Sequence, residues 1–146
     1  MYQCCTPNFR SHYKHISAVN QALTKQTGKL IIMILYGIKN CDTVKKARRW
    51  CEANNVDFQF HDFRVDGLDE TTINSWLESV SWETLLNKRG TTWRKLEDSR
   101  KEQLDQTTAV ELMLANPTLI KRPVLSDSSG CKVGFKEADY AVYFAK

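Results

Sequence analysis

The succession of apolar patterns between residues 30 and 61 constrains the fold of this chain more than any other feature of its sequence. Leu30 to Tyr36 is continuously apolar, as expected for a strand covered on both faces of a sheet. Thr43 to Asn54 has the periodicity of a helix, and Val56 to His61 alternates apolar and polar residues as a strand does. Because connections between parallel strands are right-handed, this order of strand, helix and strand predicts a right-handed parallel unit.

The middle of the chain, from about Asp69 to Ala115, is predicted to be helical. Asp69 is a good N-cap residue and precedes an apolar stripe with helical spacing. Thr108 and Glu111 have the spacing of a capping box, which predicts a helix from Ala109 to Ala115 that ends at the Asn-Pro pair after it. We therefore expect a helical insertion after the second strand.

The C-terminal part of the chain is predicted to form two strands and one helix. Val124-Leu125 and Lys132-Val133 flank a segment of turn-forming residues, which favours a short hairpin. Lys136 to Phe144 has the pattern of a final helix. The complete order predicts an α/β (α+β) fold in which helices pack on a small mixed sheet.

The first 32 residues differ from the rest of the chain in composition. The chain has 146 residues, enough for one domain with a substantial core, and a net charge of +4. Residues 1–32 contain four basic residues and no acid, which leaves 17 basic and 17 acidic residues from Met33 onward. We expect residues 1–32 to be a flexible or dispensable extension, with a short helix near residues 16–24. A disordered tail, a basic and acid-poor targeting peptide, and translation from an upstream start all fit this composition. Residues 33–146 are expected to form one domain.

Charge and hydropathy argue against two classes of partner. A protein that binds nucleic acid through its bulk charge needs an excess of Lys and Arg, which residues 33–146 lack. The longest apolar run has the length of a strand, far short of the roughly 20 residues that span a bilayer. We therefore expect neither a nucleic-acid partner nor a membrane partner.

The five cysteines of the chain are odd in number and irregularly spaced. This pattern is not that of a disulfide framework, and no Cys or His pair has zinc-finger spacing, so we expect a cytoplasmic protein without a metal site. Cys41 lies just before the helix predicted from Thr43. Unpaired backbone N–H groups and the positive end of the helix dipole stabilise a thiolate at such a position, and the thiolate is the nucleophilic form.

Four segments of the sequence, taken in order, resemble the ArsC/Spx family and its YffB-like, arsenate-reductase-related branch. These segments are Tyr36 to Ala47, Leu85 to Gly90, Ile120 to Val124, and Val133 to Phe135. The resemblance extends from Met33 to Phe144. It implies a thioredoxin-like mixed sheet with a helical insertion after the second strand, over about residues 69–115.

The resemblance also implies roles for individual residues. Cys41 corresponds to the redox nucleophile of the family. Arg122 and Pro123 correspond to the pair that precedes the third strand and faces this cysteine, and we predict a cis bond between them. The candidate catalytic residues are therefore Cys41 and Arg122. The candidate substrate- or glutathione-binding residues are Lys39, Asn40, Thr43, Lys45, Arg89 and Pro123.

A single nucleophilic cysteine predicts a monothiol mechanism. Cys51 lies ten residues along the same predicted helix, roughly 15 Å from Cys41, whereas a disulfide needs Cα atoms within about 7 Å. The reach of Cys131 is open from the sequence. We expect a thiol-dependent oxidoreductase that attacks a small oxidised substrate or a protein disulfide and is resolved by glutathione, its co-substrate, or by a glutaredoxin. We expect a monomer without a bound cofactor.

Two alternative functions follow from the same resemblance. Glutaredoxin-dependent arsenate reductases of the family bind the oxyanion through three arginines, and one of these matches Arg122. The position of the second is Asn87, two residues from Arg89, and the third falls near Phe135. Spx-type regulators act on RNA polymerase and carry a Cys-x-x-Cys motif, whose second cysteine is replaced by Val44 here.

Overall fold

The computed structural model describes residues 33–97 and 99–145. The helix predicted near residues 16–24 lies outside the described residues, as does the rest of the extension. The described strands are β1 (Ile34–Gly37), β2 (Gln59–Asp62), β3 (Val124–Asp127) and β4 (Gly130–Val133). The described α-helices are α1 (Asp42–Ala53), α2 (Glu70–Leu77), α3 (Trp82–Leu85), α4 (Thr91–Lys95), α5 (Gln106–Ala115) and α6 (Glu137–Phe144).

The four strands form one mixed sheet in the order β2-β1-β3-β4. β1 pairs in parallel with β2, so that Tyr36 lies opposite His61 and Gly37 lies opposite Asp62. β1 also pairs with β3, and β3 with β4, in antiparallel fashion. The predicted parallel unit and the predicted C-terminal hairpin are both confirmed.

The alternating pattern predicts β2 too early in the sequence. The Val56 N–H group donates to the carbonyl oxygen of Cys51 (2.9 Å), so residue 56 still belongs to the turn that leaves α1. The first bond to the central strand runs from the Gln59 N–H group to the carbonyl oxygen of Met33 (2.8 Å). Val56 and Phe58 pack on the core before the chain enters the ladder. Burial therefore explains their apolar character, and backbone pairing begins only at Gln59.

Helices α2 to α5 lie between β2 and β3, which confirms the predicted helical insertion. Asp69 caps α2 as predicted, because its Oδ1 accepts the Thr72 N–H group at 2.7 Å. Within the described residues, no helix combines the length and the apolar character needed to cross a membrane.

The capping box predicted at Thr108 and Glu111 is wrong, because α5 begins earlier than this pair implies. Asp105 is the N-cap, and its Oδ1 accepts both the backbone N–H group of Thr108 (2.8 Å) and the hydroxyl of the same residue (2.7 Å). Thr108 therefore lies in the first turn, and the helix starts at Gln106. A carboxylate at the cap also interacts favourably with the helix dipole, which favours Asp105 over the threonine hydroxyl.

Apolar side chains cover both faces of the sheet. Leu35 and Leu125 pack with residues of α1 and α6 on one face, around the buried Tyr140. Tyr36 and Val124 pack with the helical insertion on the other face. Successive strand residues point to opposite faces, so neighbours in β1 and in β3 enter different clusters. This arrangement confirms the α/β (α+β), thioredoxin-like fold with its mixed sheet.

Gly37, at the C-terminal end of β1, allows α1 to pack closely against the strand. A Cβ atom at this position would lie 2.7 Å from Cγ2 of Val44. Val44 is fully buried, and its β-branched side chain is stiff, so it cannot easily move aside. The glycine is therefore required by the close contact between strand and helix.

We expect Gly37→Ala to lower the free energy of unfolding by about 1–3 kcal/mol, the usual cost of overpacking a core. The same substitution should cost less in a Val44→Ala background, because the two Cγ atoms nearest to the added methyl group are then absent. Chemical denaturation of the wild type, both single variants and the double variant measures this coupling. Strictly additive costs would contradict the proposed contact.

Candidate active site

Cys41 lies between β1 and α1, where it is the N-cap residue of the helix. Its carbonyl oxygen accepts the first helical bond, from the Lys45 N–H group at 2.9 Å. Its own N–H group donates to the carbonyl oxygen of Ile38 (2.9 Å), which closes a tight turn over residues 38–41. The thiol is free and half-buried. Strand, turn and helix thus hold the sulfur at the helix N-terminus.

Arg122 and Pro123 form the loop that enters β3, and the bond between them is cis, as predicted. Nη1 of Arg122 donates to the carbonyl oxygen of Thr118 (3.0 Å), which holds the guanidinium in place. Nε of Arg122 is buried and has no hydrogen-bond partner within the described part of the chain. A side-chain interaction of Arg122 with Cys41 places the guanidinium beside the thiol.

The surroundings of Cys41 favour its thiolate form. Burial raises the pKa of Cys41 and is the largest single contribution. The backbone N–H group of Val44, the guanidinium of Arg122 and the backbone N–H group of Thr43 act in the opposite sense, and together they outweigh burial. The pKa of Cys41 is therefore lower than that of an ordinary thiol. This arrangement combines the helix N-terminus with a nearby cation, the two features that typically activate a cysteine.

The other two described cysteines have raised rather than lowered pKa values. Cys51 is fully buried in α1, and burial raises its pKa to about 11. Burial also raises the pKa of Cys131 to about 11, and its thiol donates to the carbonyl oxygen of Trp76 at 3.4 Å. Both thiols are therefore protonated at neutral pH and act as small core side chains.

The register of the sheet places Cys131 far from Cys41. Cys131 lies opposite Ser126, which in turn lies opposite Ile34 at the N-terminal end of β1. Cys41 follows the other end of that strand, about 10 Å further along, and Cys131 is two strand spacings, again about 10 Å, to the side. A disulfide needs Cα atoms within about 7 Å. Cys131 therefore cannot resolve a disulfide at Cys41, and the length of α1 excludes Cys51.

The predicted binding residues near Cys41 are exposed. Lys39 and Asn40 lie in the turn before it, and Thr43 lies in the first turn of α1. Thr43 acts on the sulfur through its backbone N–H group. The ammonium group of Lys45 lies 3.7 Å from Oδ1 of Asp42, and both side chains are well exposed. Such a surface pair is weak, so we assign Lys45 only a minor influence on the thiolate.

Arg89 lies on the loop between α3 and α4, which the fold joins to the segment before Pro123. The Asn87 N–H group donates to the carbonyl oxygen of Leu119 (2.7 Å), and the Lys121 N–H group donates to that of Leu85 (2.8 Å). The second and third sequence segments of the family resemblance are thus neighbours in space. The Arg89 side chain is exposed on this loop.

One residue of the site, Asp62, is missed by the sequence analysis. It ends β2, is only 8% exposed, and accepts the backbone N–H group of Lys39 at 3.1 Å. An aspartate at the end of a predicted strand, directly after His61, is its only signal in the sequence, and many loops begin in this way. Within the described residues, no group of three or more His, Cys, Asp or Glu is arranged to hold a metal ion.

We expect iodoacetamide to label Cys41 faster than Cys51 or Cys131 at neutral pH, because alkylation requires the thiolate. Arg122→Ala should raise the pKa of Cys41 and slow its labelling several-fold, since one of the groups that stabilise the thiolate is lost. Labelling at a series of pH values, followed by peptide mass spectrometry, measures both effects.

Lys45→Ala is the control for this experiment, because it removes a cation of α1 whose side chain is exposed and lies beside Asp42 rather than Cys41. Its labelling rate should stay close to that of the wild type. Equal labelling of the three cysteines, or equal rates for Arg122→Ala and Lys45→Ala, would contradict the assignment.

Comparison with known proteins places this site in a family. A family model described as the ArsC family matches residues 36–143. An uncharacterized protein of Haemophilus influenzae is 46% identical over 114 residues, which cover 78% of this chain and 100% of that protein. The global transcriptional regulator Spx of Streptococcus pyogenes serotype M1 is 26% identical over 117 residues, which cover 79% of this chain and 87% of the regulator.

Solved structures of related proteins also resemble this chain. The YffB protein is 47% identical with a TM-score of 0.73, over 75% of this chain and 96% of that protein. An arsenate reductase (ArsC) related protein from Brucella melitensis is 47% identical with a TM-score of 0.64, over 83% of this chain and 100% of that protein. The family match spans the whole site, from the turn before Cys41 to the strand after Pro123. The chain therefore belongs to the ArsC family.

Proposed function

We propose that this protein is a thiol-disulfide oxidoreductase that uses Cys41 as its single nucleophile and glutathione as its reductant. Membership of the ArsC family and similarity to an arsenate-reductase-related protein support a thiol oxidoreductase-like role. The observation that carries the proposal is the contrast among the described cysteines. The pKa of Cys41 is lowered, whereas burial raises the pKa of Cys51 and of Cys131 to about 11.

The reaction proceeds through three exchanges. The Cys41 thiolate attacks one sulfur of a disulfide, the S–S bond breaks, and the leaving thiolate takes up a proton from solvent. Cys41 is then part of a mixed disulfide. A thiolate of glutathione, supplied directly or through a glutaredoxin, attacks this mixed disulfide and releases Cys41 as a thiolate again. This exchange leaves glutathione in a mixed disulfide with the substrate. A second glutathione thiolate attacks the glutathione sulfur of that disulfide, the S–S bond breaks, and the substrate thiolate leaves and takes up a proton. Two molecules of glutathione are thus oxidised to one disulfide for each substrate disulfide that is reduced.

The lack of a reachable second cysteine among the described residues supports an external resolving thiol. Cys51 and Cys131 are excluded by distance, and both are protonated at neutral pH. The guanidinium of Arg122 stabilises the Cys41 thiolate and offers a cation beside the sulfur for a carboxylate of glutathione. Lys39 is exposed two residues before the cysteine and provides a second positive charge.

We expect oxidised glutathione to add one glutathionyl group to the wild type at Cys41, and reduced glutathione to remove it. Intact-protein and peptide mass spectrometry detect the adduct. A Cys4→Ser, Cys5→Ser background removes the two thiols of the extension, and Cys131→Ser in that background is the control that keeps the nucleophile. Modification of the Cys41→Ser variant to the same extent would contradict the proposal.

Arsenate reduction is the main enzymatic alternative, but the site has fewer arginines to bind the oxyanion than the family resemblance implies. Of the three arginines that the family resemblance implies, Arg122 is present. Asn87 occupies the second position. The third falls near Phe135. The centroid of its ring lies 4.8 Å from that of Tyr140, and Phe135 packs against the core cluster between α6 and the sheet. A divalent oxyanion is best held by several charge-assisted donors, and two of the three positions carry neutral side chains.

We expect arsenate, in the presence of glutathione and a glutaredoxin, to be reduced no faster by the wild type than by Cys41→Ser. Arsenite formation measures the rate. Turnover clearly above that of the Cys41→Ser variant would contradict this expectation. Arsenate reduction by Cys41 would then be the better description of the function.

Similarity to a global transcriptional regulator, Spx, supports a second candidate function, that of a non-catalytic regulator. The family resemblance implies that its partner would be RNA polymerase. The redox switch implied by a Cys-x-x-Cys motif has no counterpart here. Val44 occupies the second position, is fully buried and fills the space beside Gly37. A polymerase-binding role would therefore be independent of an intrahelical disulfide, and it would leave the lowered pKa of Cys41 without a use.

A further inference from the structure

Asp62 is the one charged residue found buried among the described residues, at 8% exposed. A buried carboxyl group is costly unless its oxygens accept hydrogen bonds. Its Oδ1 accepts the backbone N–H group of Arg64 (2.9 Å), and its Oδ2 accepts the backbone N–H group of Lys39 (3.1 Å). One side chain thus joins two loops that lie 23 residues apart in the sequence.

The loop after β2 is itself tightly bonded, so Asp62 is a firm anchor. The carbonyl oxygen of Asp62 accepts the N–H groups of Val65 (3.0 Å) and Asp66 (2.8 Å). Its own N–H group donates to Oδ2 of Asp66 (2.8 Å). The next residue, Phe63, donates its N–H group to the carbonyl oxygen of Gly37 (2.9 Å), which extends the pairing of β1 and β2. The position of the Asp62 carboxyl group relative to β1 is therefore fixed.

The turn over residues 38–41 depends on few bonds. The Cys41 N–H group closes it onto Ile38, and the bond from Lys39 to Asp62 ties it to the neighbouring strand. The Cys41 sulfur meets the N–H groups of Thr43 and Val44 only while this turn delivers it to the N-cap position. We propose that Asp62 is the positioning residue of the nucleophile, because it holds the turn that presents Cys41 to the start of α1. This inference rests on the proposed thiol chemistry and deepens it.

Asp62 acts on Cys41 in two opposite ways, and this makes the proposal testable. As an anchor it keeps the sulfur beside the N–H groups that stabilise the thiolate. As a negative charge near the turn it opposes formation of a second negative charge. Loss of the anchor slows the reaction of Cys41, whereas loss of the charge alone speeds it. The sign of the change shows which effect dominates.

The experiment compares Asp62→Asn with Asp66→Asn in the full chain. Both variants remove one carboxylate from the same loop, but Asp66 is exposed, and asparagine at position 66 keeps an oxygen for the Asp62 N–H group that it accepts. Each oxygen of Asp62 accepts a different backbone N–H group, so asparagine places its NH2 donor against one of them and that bond is lost. The readouts are the rate of Cys41 alkylation as a function of pH and the stability by chemical denaturation.

We expect Asp62→Asn to raise the apparent pKa of Cys41 and to slow its alkylation at neutral pH several-fold. Asp66→Asn should leave both values near those of the wild type, even where it lowers stability. An unchanged or lowered apparent pKa in Asp62→Asn would overturn the proposal, and so would equal changes in the two variants. A wild-type Cys41 with the pKa of a free thiol would instead refute the proposed function itself.

A measurement on the wild type covers the case in which Asp62→Asn does not fold. Lys39 is exposed, so its amide proton should exchange rapidly unless the bond to Asp62 protects it. NMR-detected hydrogen exchange should show the Lys39 amide to be slower than that of Asn40 in the same turn. Equal and rapid exchange of the two amides would overturn the anchoring role.

Discussion

The close contact between the end of β1 and the start of α1 is the constraint on which the rest of the structure depends. Gly37 lets the helix approach the strand, and Val44 fills the space that a larger residue would take. The turn between them is only a few residues long, so the helix must begin at the edge of the sheet. The first exposed N–H groups of α1 therefore lie beside residue 41, and any side chain there meets a positive electrostatic environment.

A balance of opposing effects then decides the chemistry of the three described cysteines. Burial alone raises the pKa of a thiol, and this is the dominant effect for Cys51 and Cys131. Cys41 experiences burial too, but it also meets two backbone N–H groups and a guanidinium. The hydrogen bond from Arg122 Nη1 to the carbonyl oxygen of Thr118 holds the guanidinium at this position. The same residue type is thus a core side chain at two positions and the proposed nucleophile at the third.

Much of the fold could be predicted from local patterns, and the errors have clear physical reasons. The stripe of Val44, Ala47 and Cys51 is buried as its helical spacing predicts. The early start assigned to β2 arose because an alternating pattern records burial, whereas a strand also needs a partner backbone. The capping box failed because two residues compete for one helix start, and Asp105 interacts more favourably with the exposed N–H groups than a threonine does.

The sequence by itself determined the parallel unit, the helical insertion and Cys41 as the candidate nucleophile, because short-range spacing and the family segments carry this information. Only the tertiary structure decided which groups meet the sulfur and which thiols are out of reach. The register of the sheet separates Cys131 from Cys41, and strand pairing brings Asp62 to the turn that holds Cys41. These relations join residues far apart in the chain, so no local pattern records them, and the distance between two such side chains is set only when the strands pair.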